Sequence, residues 1–158
     1  MAVAGSIGYN ITTLATNLQT WVTGTYEGEV LNSETAGGTI AYGQLVYRNT
    51  AGKWDLADAT MDAHPATSIL GICLLTSTAN QSTKILLRGF VETQFSSYFE
   101  TGEVQFMSIT PGSTNRNFPT APGNIVRLIG HSFWIPSLQN NGIYVLRFNP
   151  DNTWIELN

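Results

Sequence analysis

The clearest pattern of apolar and polar positions lies in GQLVYRNTAGKWDLADA, residues 43–59. Three strand-forming residues at 45–47 lead into a polar stretch at 49–52, where Asn and Gly suit the backbone angles of a tight reversal. Trp54 and Leu56 then occupy alternate positions, as in a half-buried strand. The segment therefore predicts a β-hairpin.

The end of the chain, GIYVLRFNPDNTWIELN, has a similar pattern. Tyr144, Leu146 and Phe148 would share one face of a strand. The polar residues 149–152 have the composition of a turn, and Trp154 begins a second apolar stretch. This pattern predicts a second hairpin that ends the chain.

From residue 37 onward, apolar segments and turn-rich separators alternate about every ten residues, which is the spacing of a sandwich or barrel. Helical signals are scarce, and FSSYFETG is the interior candidate for a helical turn. We predict an all-β fold, a compact β-barrel or β-sandwich of short antiparallel strands with an extended N-terminal arm. The expected strands are 39–48, 53–57, 68–75, 83–92, 103–109, 124–135, 143–148 and 153–157.

Residues 1–36 differ from the rest, because the first 26 residues carry no charged side chain yet contain many large apolar ones. Two interpretations stay open. Residues 1–36 supply the first strand or two of the core, or they form an arm that docks on a neighbouring subunit, since so apolar a tail would not remain in water alone. On the second interpretation, the contact residues are Ile7, Tyr9, Ile11, Leu14, Leu18, Trp21 and Tyr26.

A shift of 59 residues aligns segment 43–90 with segment 102–149. ILG at 69–71 then falls on LIG at 128–130, and although only four of the 48 aligned positions are identical, the apolar patterns agree. We expect residues 37–158 to form a single β-rich domain, with a possible two-fold internal repeat. The two hairpins are out of phase with this repeat, so it does not explain them.

Charged residues make up only 11% of the chain, and its net charge is −4. The seven basic residues are scattered, so we do not expect direct binding of nucleic acid. No apolar run reaches the roughly 18–20 residues that span a bilayer, so we expect no membrane partner. The lone Cys73 lies within an apolar run and is expected to be a buried thiol.

Signals for catalysis are weak, although carboxylates and an imidazole could bind a metal or act as acid and base. The candidates lie in a stretch of Ala, Asp and Thr that we interpret as a solvated loop, and His131 is expected to be a hydrogen-bonded structural residue. Because nucleophile-elbow, phosphate-loop and dinucleotide motifs are missing from the sequence, we predict no enzyme activity, cofactor or metal. The loop candidates are Asp55, Asp58, Asp62 and His64.

Aromatic and basic side chains offer two further possibilities. The tryptophans could form a sugar-stacking platform, although such residues more often fill a β core or an interface. Arg88 and Arg147 each follow an apolar run, and each is expected to extend into water or to pair with a carboxylate across a subunit boundary. The tryptophans are Trp21, Trp54, Trp134 and Trp154.

Five segments, taken in order, resemble small capsid decoration (cement) and head-fibre proteins of tailed bacteriophages. They are GQLVYRNTAGKWDLADA, ILGICLL, KILLRGFVE, GEVQFMSITPGSTNRNFPTAPGNIVRLIGHSF and YVLRFNPDNTWIELN. The resemblance covers residues 37–158, so a capsid-gripping role for residues 1–36 follows only from their composition.

This resemblance implies a β-rich virion structural protein, often a homotrimer, on the exterior of the capsid. Such a protein would bind the major capsid protein of the assembled phage head and stabilise the contacts between its copies. The alternative is a head-fibre or host-attachment module that binds carbohydrate.

Overall fold

The computed structural model describes residues 24–60, 68–92, 102–135 and 143–158. These residues form eleven strands, and the predicted all-β class is confirmed. The strands are β1 (Tyr26–Thr35), β2 (Leu45–Arg48), β3 (Trp54–Leu56), β4 (Leu70–Cys73), β5 (Ser82–Val91), β6 (Val104–Met107), β7 (Thr114–Asn115), β8 (Ile125–Val126), β9 (Leu128–Ile135), β10 (Ile143–Phe148) and β11 (Ile155–Glu156). Predicted features outside the described residues are the contacts Ile7, Tyr9, Ile11, Leu14, Leu18 and Trp21, the loop residues Asp62 and His64, and most of FSSYFETG.

Nine strands form one sheet that curls into a half-barrel. The strand order along its main path is β3-β2-β4-β5-β10-β9-β6-β7. β1 pairs with the edge of β5 that faces away from β4 and β10. Leu86 of β5 lies between Val30 of β1 and Ile72 of β4. Farther along β5, Gly89 pairs with Phe148 of β10, so β4 and β10 share one edge of β5. β8 and β11 form a separate two-stranded sheet.

The first predicted hairpin is confirmed, because β2 and β3 pair antiparallel. Asn49 organises the turn: its side-chain Oδ1 accepts hydrogen bonds from the backbone N–H groups of Ala51 and Lys53, both at 2.9 Å. Gly52 has a φ of 75°, the left-handed conformation for which its missing Cβ suits it. The polar turn residues therefore direct the reversal as the sequence predicted.

The second predicted hairpin is wrong. β10 cannot pair with β11, because its two edges are already occupied by β5 and β9. Within the predicted turn, the backbone N–H of Asn149 donates to the carbonyl of Ile129 at 3.0 Å, and that of Asp151 donates to Leu128 at 2.9 Å. The chain therefore passes along β9 after β10 ends, and β11 pairs with β8 instead.

The order of strands in the sheet has an approximate two-fold symmetry. The same 59-residue shift places Leu45–Arg48 (β2) on Val104–Met107 (β6), and it brings β3, β4 and β5 onto β7, β9 and β10. When each strand is replaced by its counterpart, the strand order becomes β7-β6-β9-β10-β5-β4-β2-β3, which is the observed order read in reverse. Gly89 pairs with Phe148, its own counterpart under the shift, so the β5–β10 pairing lies on the axis that relates the two units.

Both faces of the central strands are buried, because successive side chains of a strand point to opposite faces. Leu45 of β2 belongs to the main core, whereas its neighbour Val46 belongs to a second core. The second core surrounds Trp54, whose indole Nε1 donates a hydrogen bond to Glu34 Oε2 at 2.8 Å. The buried members of the second core are Ala36, Ile40, Val46, Trp54, Cys73 and Ile85.

β1 and β5 pair at Gly28 and Gly89, whose φ angles are 149° and 146°. A Cβ on Gly89 would lie 2.0 Å from the carbonyl oxygen of Glu27, and one on Gly28 would lie 2.1 Å from that of Arg88. Backbone atoms occupy the space that either Cβ would need. Glycine at both positions therefore permits the close antiparallel pairing of these two strands.

Candidate interaction surfaces

Asp55 of β3 and Asp58, which follows this strand, form hydrogen bonds that hold turns together. Asp55 accepts a hydrogen bond from Asn49 Nδ2 at 2.6 Å. Asp58 accepts from the backbone N–H and the hydroxyl of Thr60, at 2.8 Å and 2.5 Å. Asp58 is only 7% exposed, so the expectation of a solvated loop is wrong at this residue. The residues that the structure describes contain no group of three or more His, Cys, Asp or Glu side chains placed to hold a metal ion.

Cys73 is a buried thiol, as predicted. Its Sγ donates to the carbonyl of Leu75 at 3.3 Å and lies 3.7 Å from the hydroxyl of Thr83. Burial raises the pKa of the thiol, because removing the group from water disfavours the thiolate, and hydrogen bonds from its neighbours only partly oppose this effect. The side chain therefore behaves as a small core residue.

Arg88 and Arg147 are counterparts in the two units, and both are exposed. They lie within β5 and β10, not at the ends of these strands as the apolar runs suggested. Arg88 faces Glu29 of β1, and Arg147 faces His131 of β9. The two arginines therefore have different neighbours despite their symmetric positions.

Three exposed aromatic residues lie towards one end of the sheet, and we call them the aromatic rim: Tyr26, Trp134 and Tyr144. Trp134 of β9 and Tyr144 of β10 are directly paired across the strands. Tyr26 is the one predicted contact residue that the structure describes, and it opens β1 opposite Val91. Because Val91 also pairs with Leu146, two residues beyond Tyr144, Tyr26 begins β1 near the Trp134–Tyr144 pair.

Tyr42 supports the beginning of β1. Its hydroxyl donates to the backbone carbonyl of Thr25 at 2.9 Å. Burial raises the pKa of this phenol, and the nearby groups of Glu92 and Tyr26 raise it further because they disfavour a second negative charge. Tyr42 therefore stays neutral and can keep donating this hydrogen bond in ordinary buffers.

A second surface feature is a groove of about 520 Å³ beside the C-terminal segment, which we call the C-terminal groove. Its apolar wall includes Ile69, which is well exposed, and Trp154, which is 40% exposed. Polar side chains also line the groove. The residues that give the groove its character are Glu29, Ile69, Arg88, Arg127, Asn152 and Trp154.

Arg127 joins two walls of the C-terminal groove. Its side chain is deeply placed, with the residue only 5% exposed. Its Nε donates to the carbonyl of Asp151 at 2.9 Å, and its Nη1 donates to the carbonyl of Ser68 at 3.0 Å. Burial lowers the pKa of the guanidinium, and the negative charge of Asp151 opposes that shift. This one side chain links the segment before β4 to the segment after β10.

Replacing Arg127 with alanine is expected to lower the free energy of unfolding by about 2–3 kcal/mol, because the backbone carbonyls of Ser68 and Asp151 both lose a charged donor. Arg127→Lys should be intermediate, since an ammonium keeps the charge but lacks the planar fork that spans both carbonyls. Urea unfolding followed by circular dichroism would measure both losses. If Arg127→Ala were as stable as the unchanged protein, the cross-link would have no energetic role.

Exposed apolar side chains also gather beside β6 and β7. Ile109 and Phe118 are both well exposed and line a shallow pocket of about 230 Å³. Phe118 packs edge-on against Phe106, with ring centroids 5.8 Å apart. The described surface thus carries apolar residues in several separate places.

Comparison with known proteins gave no match to a family model, to a curated protein or to a solved structure. Within the described ranges, no helix has the length and apolar character needed to cross a bilayer.

Proposed function

We propose that this protein is a virion structural protein that decorates the outside of an assembled phage head and stabilises contacts between major capsid proteins. The observation that supports this function best is the aromatic rim, which lies near the point where the uncharged residues 1–23 join β1. Exposed aromatic side chains are typical of surfaces that a partner protein covers. An apolar segment joined to such a rim would extend the same contact.

Decoration of this kind is thermodynamic and requires no catalysis. A protein that binds only the assembled shell stabilises it by about 2.7 kcal/mol per site when its free concentration is a hundred times the dissociation constant. A homotrimer would strengthen this effect, because binding of one subunit raises the effective concentration of the others. The low charge content makes such binding insensitive to salt, since few screened ion pairs contribute.

Deletion of residues 1–23 is expected to leave a folded β domain that binds empty heads at least about tenfold more weakly, which corresponds to a loss of about 1.4 kcal/mol. This truncation removes the uncharged segment and keeps the whole of β1, so every described strand can still form. Co-sedimentation with empty heads of the cognate capsid protein would measure binding. Far-ultraviolet circular dichroism and thermal unfolding would establish that the truncated protein is folded.

A variant with Ile109 and Phe118 both changed to Ser is the matched control, because it removes exposed apolar groups away from the aromatic rim. It should sediment with heads as the unchanged protein does. Equal binding by the truncated and full-length proteins would contradict the role of residues 1–23. Failure of the full-length protein to bind heads at any concentration would contradict decoration itself.

A further inference from the structure

We propose that the C-terminal groove binds a neutral saccharide, with the indole of Trp154 packed against one face of a pyranose ring. This site is separate from the aromatic rim and does not depend on capsid decoration. A pyranose presents an apolar face of C–H groups and an edge of hydroxyl groups. The groove offers a partner for each of these two surfaces.

The apolar partner consists of Trp154 and Ile69. Both side chains line the groove and both are exposed. An indole is large, flat and rigid, so it supplies contact area with little loss of conformational entropy. Such a surface suits the C–H face of a sugar ring.

The polar partners are Glu29, Arg88 and Asn152, which line the same groove. A carboxylate accepts hydrogen bonds from sugar hydroxyls, a guanidinium donates to their oxygens, and an amide does both. Glu29 and Arg88 face each other in register on β1 and β5, so their opposite charges lie side by side. The charge of Arg127 is opposed in the same way by the nearby carboxylate of Asp151, so the charges around the groove balance and favour a neutral sugar over an acidic one.

The groove is also fixed in shape before any ligand arrives. The guanidinium of Arg127 donates to Ser68, which lines the groove, and to Asp151, which lies between the lining residues Pro150 and Asn152. The volume of about 520 Å³ lies within the range of roughly 300–1,000 Å³ that small-ligand sites occupy. A wall that is already ordered reduces the entropic cost of binding.

The approximate symmetry of the sheet supplies a matched control. Arg147 is the counterpart of Arg88 in the second unit, but it faces His131 and does not line the groove. Trp134 provides the control for Trp154, because the two side chains are exposed to almost the same extent, 42% against 40%. Trp154 lines the groove, whereas Trp134 does not. Each groove variant can thus be compared with a residue of the same type.

The experiment is to apply the full-length protein to an array of neutral glucose, galactose, mannose and N-acetylglucosamine oligosaccharides, with uronic-acid oligosaccharides as a second arm. The affinity for the best neutral ligand would then be measured in solution by titration. Trp154→Ala should weaken that binding by about tenfold or more through loss of the stacking surface. Trp134→Ala should leave it unchanged, Arg88→Ala should weaken it, and Arg147→Ala should not.

Three outcomes would overturn the proposal: no binding to any neutral oligosaccharide, equal losses in Trp154→Ala and Trp134→Ala, or binding confined to uronic-acid ligands and abolished by salt. Thermal unfolding of each variant would establish that a loss of binding is not a loss of fold. Co-sedimentation with empty heads should be unaffected by Trp154→Ala. Failure of the saccharide site and failure of decoration are therefore distinguishable.

Discussion

Replacing Gly89 with alanine is expected to lower the free energy of unfolding by about 3–5 kcal/mol, through backbone strain and a steric clash together. The new Cβ would lie 2.0 Å from the carbonyl oxygen of Glu27 and 2.7 Å from the Cα of Gly28. Both neighbours belong to the backbone of β1, so no side-chain rotation can relieve the contact. β1 would have to move away from β5 and lose hydrogen bonds of their shared ladder.

Gly123→Ala is the matched control for this prediction. Gly123 also has a positive φ, 81°, but a Cβ there would meet no atom within 4 Å. This variant should therefore show only the conformational penalty, about 1–2 kcal/mol. Urea unfolding followed by tryptophan fluorescence would compare the two proteins. Equal losses of stability in Gly89→Ala and Gly123→Ala would mean that the close pairing of β1 and β5 adds no steric cost to the conformational penalty.

A double variant, Gly28→Ala with Gly89→Ala, tests whether the two glycines relieve the same steric contact between β1 and β5. Because the residues are paired and in contact, the two losses should not add. Once β1 has moved away to admit the first methyl group, the second costs less. The pairing of β1 with β5 also bears on the proposed function, because β1 is the first described strand after residues 1–23.

Local signals in the sequence were sufficient for much of the fold. The hairpin of β2 and β3 is encoded by Asn49 and Gly52, which shape the turn through contacts within a few residues. The predicted segments near 83–92 and 143–148 correspond closely to β5 and β10. Strand formation depends on residues next to one another, so a pattern along the chain can reveal it.

The choice of strand partner could not be predicted in this way. The segment after β10 has the composition of a hairpin turn, yet β10 is enclosed by β5 and β9 and offers no edge to β11. β7, at Thr114–Asn115, lies between the expected strands 103–109 and 124–135, and its pairing with β6 makes it a strand. Which edges remain free is a property of the whole sheet and leaves no local signal.

The groove was hidden from the sequence for the same reason. Its walls come from residues near 69, 88, 127 and 152, which the topology of the sheet brings together. The sequence pattern could not show which tryptophans are buried: Trp54 and Trp154 both follow a polar turn-like stretch, yet Trp54 is buried and Trp154 is exposed. The possible repeat did contain one hint: Ser68 and Arg127, which make contact, are counterparts under the 59-residue shift.

Replacing Trp54 with alanine is expected to lower the free energy of unfolding by about 3–5 kcal/mol, the usual cost of removing a large aromatic side chain from a core. Trp54 is fully buried and is the largest side chain of the second core. Its removal also deprives Glu34 Oε2 of the indole N–H that donates to it at 2.8 Å. Trp54→Phe should be milder, since it refills most of the cavity and loses only the hydrogen bond, worth about 1–2 kcal/mol.

Trp154→Ala is the control for the effect of Trp54→Ala, because it removes the same side chain from a position that is 40% exposed and should cost clearly less stability. Urea unfolding followed by far-ultraviolet circular dichroism would measure all three variants without relying on tryptophan emission.

Cys73 gives an independent readout, since its buried thiol belongs to the same core as Trp54. A thiol reagent should modify Cys73 faster in Trp54→Ala than in Trp154→Ala, because opening of the second core exposes it. Equal stability and equal labelling rates in these two variants would show that Trp54 does not hold the second core together.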